Sequence, residues 1–187
     1  MPALTRWIGP SATDLIRADH TRVFGAFHRY KTDSSPLKKQ AIAATVCALL
    51  LVHARMEEDI FYPAMRAAGT TLLEELEPEH SEMRSLIATL SGMQPSDPQY
   101  DVMFMELMRA VIHHVADEET MLLTHAESVL GPRLGELGAR MTKRRAELVA
   151  EQAAALAGPK ARALPGAALA LAAGALLAGL WLVRRRA

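Results

Sequence analysis

The amino-acid sequence predicts an all-α protein, an antiparallel up-down-up-down four-helix bundle followed by a C-terminal transmembrane helix. Three observations support this prediction. Apolar residues recur at steps of three and four along four long segments, as they do on the buried face of a helix. The breaks between these segments are short and rich in Pro, Gly, Ser and Asp. A run of 21 uncharged residues lies near the C-terminus, at positions 163–183.

The first two helices are predicted from residue 11 or 13 to about residue 30 and from about residue 37 to residue 67. Ser11 and Thr13 are both suitable N-caps for the first helix. The segment TDSSP at 32–36 separates the two helices. Pro63 lies in the last turns of the second helix and is expected to bend it, because proline cannot donate a backbone hydrogen bond.

The third helix is predicted to begin at residue 78 and to end before the loop at 94–98, and the fourth helix is predicted over about residues 99–129. Pro78 is placed in the first turn of the third helix, where its missing N–H has no intrahelical partner to lose. QPSDP at 94–98 forms the connecting loop, and Gly131 followed by Pro132 ends the fourth helix. An amphipathic stretch follows. The predicted organisation is therefore a bundle at 1–131, an amphipathic helix and linker at 132–162, a membrane anchor at 163–183 and a basic tail at 184–187.

Composition excludes several classes of protein. The chain has 187 residues, of which 21 are basic and 21 acidic, and it contains a single cysteine. One cysteine excludes an intramolecular disulfide framework and any zinc or iron–sulfur site with several Cys ligands. Five of the basic residues lie beyond residue 158, where there is no acidic residue, so residues 1–158 carry 16 basic and 21 acidic side chains. A domain with this negative balance is not expected to bind nucleic acid.

The uncharged segment 163–183 has the length of a membrane span. A helix of this length extends roughly 30 Å, the thickness of a bilayer hydrocarbon core. Basic residues flank both ends, and Trp181 stands near one boundary, where indole rings favour the interface. Small residues at every fourth position (Gly166, Ala170, Gly174, Ala178) would permit a homodimer through the anchor. The distribution of basic residues favours a cytoplasmic position for the soluble domain. The alternative is an Ala-rich helix that packs on that domain.

The predicted buried face of each bundle helix contains a histidine, and two of these faces also contain a glutamate four residues later. Burying imidazoles and carboxylates is costly unless they are paired or bind a metal. The His-to-Glu spacing places both side chains on one face of a helix. The residues concerned are His20, His53, Glu57, His80, His114 and Glu118.

These residues also follow an internal repeat. His20 precedes His53 by 33 residues and His80 precedes His114 by 34, while HARMEE at 53–58 is echoed by HVADEE at 114–119. Two helix–helix units related by a pseudo-two-fold axis would bring four imidazoles and two carboxylates into one pocket. Six nitrogen and oxygen ligands suit two iron or manganese ions better than one tetrahedral zinc ion. The flanking acids Asp19, Glu58, Glu79 and Glu119 are expected to be solvated, with one or two of them bonded to a ligand imidazole.

Across residues 11–131 this layout resembles the hemerythrin-like HHE cation-binding domain family. The resemblance implies that the six residues are ligands and that Glu57 and Glu118 occupy the bridging-carboxylate positions. Oxygen-carrying members have a further histidine four residues before the third-helix ligand, and this chain has Leu76 there. Glu77 or Glu79 could supply an additional ligand. Reversible oxygen carriage is therefore not the leading expectation.

The leading functional hypothesis is a membrane-tethered non-haem di-iron protein that binds or reacts with peroxide, oxygen or nitric oxide. One alternative is an iron or redox sensor whose metal occupancy signals through the anchor, because metal binding and folding are coupled. A reversible oxygen binder and a metal store are further alternatives. A single two-ion site serves storage poorly.

Overall fold

The computed structural model of the protein describes residues 9–157. Within this range the chain forms five helices and no β-strand. The predicted anchor at 163–183 and the basic tail lie outside the described residues. Helix α1 is Ala12–Phe27, α2 is Pro36–Ala67, α3 is Leu73–Gly92, α4 covers residues 100–130 and α5 is Arg133–Ala157.

Two apolar clusters show that α1 to α4 run antiparallel. The first cluster contains Ile16 of α1 and Ile60 of α2, and the second contains Val23 of α1 and Val46 of α2. Helix α1 therefore runs from the first cluster to the second, and α2 returns. Helix α3 passes from Leu76 in the first cluster to the second, and α4 ends back in the first. This is the predicted up-down-up-down bundle.

Helix α1 begins as the sequence predicts, at an N-cap serine. The Ser11 hydroxyl accepts a hydrogen bond from the Asp14 backbone N–H at 3.2 Å, and the Asp14 carboxylate accepts one from the Ser11 backbone N–H at 2.9 Å. This reciprocal pair satisfies two N–H groups that have no partner inside the helix. The helix ends at Phe27, three residues before the predicted end.

The predicted start of α3 at Pro78 is wrong, because the helix begins five residues earlier, at Leu73. Pro78 lies inside the helix and leaves the Glu74 carbonyl without its usual donor. The extra turn buries Leu73 and Leu76, which are 3% and 2% exposed. Burial of two leucines contributes roughly 3–6 kcal/mol, about as much as or more than the cost of an internal proline. Leu76 and His80 are consequently one turn apart on a continuous helix.

Helices α2 and α4 each contain a π-helical turn, which the sequence analysis does not predict. The turns are Glu57–Phe61 and Glu118–Leu122, and each begins at a buried glutamate. The Tyr62 N–H bonds the Glu57 carbonyl, and the Leu123 N–H bonds the Glu118 carbonyl, both five residues back. Pro63 follows the first turn, but Thr124 stands at the equivalent place after the second. Proline alone therefore does not account for both π turns, which in other proteins often mark functional sites.

Helix α5 packs along α1 and α2 and completes the first apolar cluster. Leu134, Leu137 and Met141 on α5 are all buried. The approach is close, because a Cβ atom at Gly138 would lie 2.2 Å from the Pro10 carbonyl oxygen. Only glycine fits there without moving the backbone. The fifth helix is thus packed into the bundle.

Among the described residues, one helix is long and apolar enough to cross a membrane by length and composition. It is α2, with a mean hydropathy of 1.4 over its most apolar 18 residues. Helix α2 also carries His53 and Glu57, which are almost completely buried in the bundle. It is therefore the core helix of the bundle.

Candidate metal centre

The six residues singled out from the sequence lie together at the middle of the bundle, between the two apolar clusters. None is more than 3% exposed. On each helix the histidine stands between residues of the first and the second cluster, as His20 does between Ile16 and Val23. The bundle therefore encloses a polar layer. Its members are His20, His53, Glu57, His80, His114 and Glu118.

The polar layer consists of two overlapping groups that share His53. One group is His53, Glu57, His80 and His114, and the other is His20, His53 and Glu118. Within each group, one potential ligand atom from every residue lies within 4.8 Å of the others. Both groups consist of imidazole nitrogens and carboxylate oxygens, a donor set that suits iron, manganese and zinc.

The Nε2 atoms of the imidazoles face the interior of this layer. His80 Nε2 lies 3.2 Å from His114 Nε2 and 3.4 Å from Glu57 Oε2. His20 Nε2 lies 3.1 Å from Glu118 Oε2, and His53 Nε2 lies 3.4 Å from Glu57 Oε2. Nitrogen and oxygen atoms thus converge on one enclosed space.

The Nδ1 atoms face outward, and each lies beside a carboxylate. His20 Nδ1 donates to Glu119 at 2.7 Å and His114 Nδ1 donates to Glu79 at 2.8 Å. His80 Nδ1 donates to Glu58 at 3.1 Å, while His53 Nδ1 lies 3.8 Å from Asp19. A carboxylate on Nδ1 selects the tautomer that leaves the Nε2 lone pair free for a metal.

These outer carboxylates follow the internal repeat. Asp19 and Glu79 precede the first histidine of each unit, and Glu58 and Glu119 follow the inner glutamates. The sequence predicts an imidazole bond for only one or two of them, whereas three bond an imidazole of the polar layer and Asp19 lies beside the fourth. The Glu119 side chain nevertheless remains 39% exposed. The hydrogen bond from His80, and then those from Arg84, hold the pKa of Glu58 at about 2, so this carboxylate is ionised.

The inner polar atoms have no adequate partners among the described residues. Both carboxylate oxygens of Glu57 and Glu118 and both ring nitrogens of His53 are buried and accept or donate no hydrogen bond. With Nδ1 protonated, His80 and His114 also direct two lone pairs at each other. Leaving such groups unpaired costs several kcal/mol. A cation in this space would pair with all of them, so the residues present fit a metal.

The ionisation of the pocket without a cation supports the same conclusion. Burial, and then the charge of Glu118, raise the pKa of Glu57 well above its ordinary value. Burial also lowers the pKa of His53 to about 4. Burial opposes charge on His20, but the Glu118 carboxylate 3.1 Å away, and then Glu119 and Glu57, raise the pKa of His20 to about 9. The pocket therefore disfavours two free carboxylates, and a cation would stabilise both.

Tyr62 is a further member of the site that the sequence analysis missed. Its hydroxyl lies 3.3 Å from His80 Nε2, and its ring stacks on the His80 imidazole. Burial, and then the nearby glutamates, raise the pKa of Tyr62 well above its ordinary value, so the phenol keeps its proton. Tyr62 lies nine residues after His53, beyond the π turn at Glu57–Phe61. Because the sequence does not predict that turn, the regular helical spacing does not place Tyr62 on the same face as His53.

The other histidines and the two additional candidate ligands lie outside the polar layer. His28 and His113 are exposed, and His125 is half-buried. Glu77 forms an ion pair with Arg66 at the surface. Glu79 bonds the outward-facing Nδ1 of His114, so the His114 ring separates its carboxylate from the interior of the polar layer.

Comparison with known proteins agrees with this geometry. A family model described as the hemerythrin HHE cation-binding domain matches residues 11–126. A crystal structure of a hemerythrin HHE cation-binding domain-containing protein from Mycobacterium kansasii, described as an Rv2633c homologue, superposes with a TM-score of 0.71. The match covers 87% of this chain and 99% of that chain, at 20% identity, which establishes a shared fold.

Two relatives show similarity at the level of sequence. A DNA nickase from Nostoc is 33% identical over 110 residues, which is 58% of this chain but 31% of the nickase. The chain therefore spans about a third of that relative's length. The uncharacterized protein Rv2633c of Mycobacterium tuberculosis is 26% identical over 140 residues, 72% of this chain and 84% of that protein. With the family model matching most of the chain, this protein belongs to the hemerythrin HHE cation-binding domain family.

Proposed function

We propose that this protein holds a non-haem di-iron centre that reacts with a small oxidant, peroxide first, with oxygen and nitric oxide as the other candidates. The observation that carries the proposal is the pair of overlapping ligand groups around His53, with buried atoms that lack partners. Two overlapping groups of this kind would suit two adjacent ions, and Glu57 and Glu118, one in each group, would supply carboxylate ligands. Manganese is the alternative metal, since its ligand preferences overlap with those of iron.

The chemistry that a bound di-iron pair supplies is the exchange of electrons with a small oxidant. The protein's own residues provide the surroundings. Phe61 and Leu122, both fully buried, close the first-cluster side of the polar layer and exclude bulk water. Tyr62 offers a protonated hydroxyl at the same place, where it can donate a proton or a hydrogen bond to a bound molecule. The outer carboxylates fix the orientation of the imidazole rings through their Nδ1 atoms.

Leu76 favours reaction over reversible oxygen carriage. It stands one turn before His80 on α3, is 2% exposed and offers no ligand atom. The centre therefore has six protein ligands, and coordination positions that the protein leaves open are accessible to an oxidant.

Anaerobic reduction followed by admission and removal of oxygen tests this proposal. The reduced protein should oxidise irreversibly in air, and the oxidised protein should decompose hydrogen peroxide. Absorbance spectra and peroxide consumption are the measurements, with the metal-free protein as the control. A stable oxygenated spectrum that reverses on deoxygenation, without peroxide consumption, would refute the proposal and indicate an oxygen binder.

We also propose that residues 163–183 anchor the protein in a membrane, with the soluble domain in the cytoplasm and a homodimer formed through the small-residue stripe. The full-length chain should sediment with membranes and resist alkaline carbonate extraction. A chain ending at residue 158 should remain in the supernatant. Release of the full-length chain by carbonate would instead indicate a segment that lies on the surface or packs on the bundle.

An iron or redox sensor is the second candidate, and one contact favours it. Arg145 on α5 donates to Asp19, which lies beside the Nδ1 of His53. Metal occupancy is thereby linked to the helix that leads toward the proposed anchor. A site that binds iron tightly but consumes no peroxide would favour this candidate over the first.

The DNA nickase relative does not lead us to propose a nuclease. The match covers 31% of that protein, and residues 1–158 of this chain carry 16 basic and 21 acidic side chains. We propose that this domain makes no contact with nucleic acid.

A further inference from the structure

A third group of potential ligands lies at the surface, next to the polar layer but outside it. It consists of Glu79 on α3 and His113 and Asp117 on α4. His113 Nε2 lies 3.7 Å from Glu79 Oε1 and 3.5 Å from Asp117 Oδ2. The His113 side chain is 71% exposed, whereas the carboxylates of Glu79 and Asp117 are 19% and 33% exposed. Solvent therefore reaches this group directly.

The distances suit a divalent cation. Ligands at about 2.1 Å from one ion are about 3.0 to 3.4 Å apart when the angle between them is between 90° and 109°. The observed separations exceed this range by a few tenths of an ångström, which small rotations of exposed side chains can remove. The imidazole favours iron or zinc over magnesium and calcium, and the two carboxylates also suit manganese.

The internal repeat provides an independent argument, because the two halves of the bundle treat equivalent carboxylates differently. Asp19 is the counterpart of Glu79, and it is paired with Arg145 and Arg22. Within residues 9–157, Glu79 is paired with histidines and with no lysine or arginine. Among the described residues, arginine side chains neutralise Asp19 in the first half, but no lysine or arginine neutralises Glu79 in the second.

The residues beside Asp19 are apolar and buried, whereas those beside Glu79 are polar and more exposed. Relative to the repeated histidines, His113 corresponds to Val52 and Asp117 corresponds to Met56. Val52 and Met56 are 8% and 0% exposed, beneath helix α5. In the first half these positions are buried, and the Asp19 carboxylate is paired with arginine side chains. In the second half the equivalent positions are exposed to solvent and carry a histidine and a second carboxylate.

We propose that Glu79, His113 and Asp117 form a surface divalent-cation site through which metal reaches the buried centre. Glu79 is the connection, because its Oε2 accepts the His114 Nδ1 hydrogen bond at 2.8 Å while its Oε1 faces His113. One imidazole ring separates the surface group from the interior. The centre itself is nearly inaccessible, so a cation needs an entry route. The loading role rests on the proposed buried metal centre, but the surface site does not.

The test compares the full-length wild-type chain with the double variant His113→Gln/Asp117→Asn, which leaves Glu79 and the six buried residues intact. The matched control is His28→Gln/Glu106→Gln, which also removes one exposed histidine and one exposed carboxylate. Binding of Mn²⁺ is followed by the loss of the free-ion electron paramagnetic resonance signal. Uptake of Fe²⁺ by the metal-free protein is followed anaerobically over time.

The wild type and the control should bind one more Mn²⁺ per chain than the double variant. The double variant should load Fe²⁺ about tenfold more slowly, because the charged group no longer concentrates the cation, yet should reach the same final content. An unchanged Mn²⁺ count would overturn the surface site, and an unchanged loading rate would overturn its role in entry. If the buried centre takes up no iron at all, the difference in Mn²⁺ count still tests the surface site.

Discussion

Replacing His53 with alanine should remove at least half of the iron from the purified protein, and replacing His20 should have a comparable effect. Each imidazole has its Nδ1 beside a carboxylate and offers one lone pair, at Nε2, to one ion. Loss of an outer-shell partner already lowers metal affinity about 10- to 100-fold, and loss of a direct ligand should lower it further. Iron per chain, measured by elemental analysis after desalting, gives the result.

Thermal stability should fall together with iron content. A ligand present at 100 times its dissociation constant stabilises the folded state by about 2.7 kcal/mol, so losing it should lower Tm by about 5 to 10 °C in a chain of this size. His28→Ala is the control, since His28 is exposed and distant from the centre, and it should change neither quantity. Full iron content in His53→Ala would refute the assignment of this ligand, whatever the change in Tm.

The clustering of the six buried histidines and glutamates could be predicted because it depends on helical register and on the internal repeat. Positions four apart share a helix face, so the spacing from His53 to Glu57 already places both side chains together. The repeat of this spacing in the second half then relates the two pairs by symmetry. No knowledge of the distance between helices is needed for that step.

The outer carboxylates could not be predicted in the same way, because each of them pairs with an imidazole on a different helix. Glu119 on α4 bonds His20 on α1, 99 residues away. The spacing along one helix does not give the separation of α1 and α4, on which this bond depends. The π turn at Glu118 further changes the direction of the residue that follows it.

The packing of α5 against the bundle could likewise not be predicted from hydrophobic periodicity. An amphipathic pattern over 133–157 indicates that one face is apolar without indicating what covers that face. The pattern therefore predicts only an amphipathic helix and linker at 132–162. In the structure, Leu137 and Met141 share a cluster with Ile16, and Arg145 reaches Asp19. Glycine at 138, which admits the close approach to Pro10, is a signal that can be recognised only once the neighbour is known.

Replacing Arg145 with methionine in the full-length chain should destabilise the protein by about 1.5 to 3 kcal/mol, because the nearly buried Asp19 carboxylate loses its more buried guanidinium partner and keeps only the more exposed Arg22. Asp19 and Arg145 side chains are 9% and 16% exposed, so water compensates little. Burial opposes ionisation of Asp19, yet the His53 imidazole 3.8 Å away and then the Arg145 charge keep the pKa of Asp19 below its ordinary value. Denaturant unfolding of metal-free protein measures the loss without a contribution from iron.

Arg144→Met is the matched control, one residue away on the same helix. Arg144 pairs with Asp59 at 2.8 Å at the edge of the bundle, where Asp59 is 26% exposed, and a pair of this kind contributes about 0 to 1 kcal/mol. The double variant Asp19→Asn/Arg145→Met should recover much of the stability lost in Arg145→Met, because no buried carboxylate then lacks its Arg145 partner. Equal and small losses in the two single variants would mean that α5 only covers the first apolar cluster. A large loss in Arg145→Met that Asp19→Asn repairs would establish that α5 stabilises the bundle through the carboxylate beside His53.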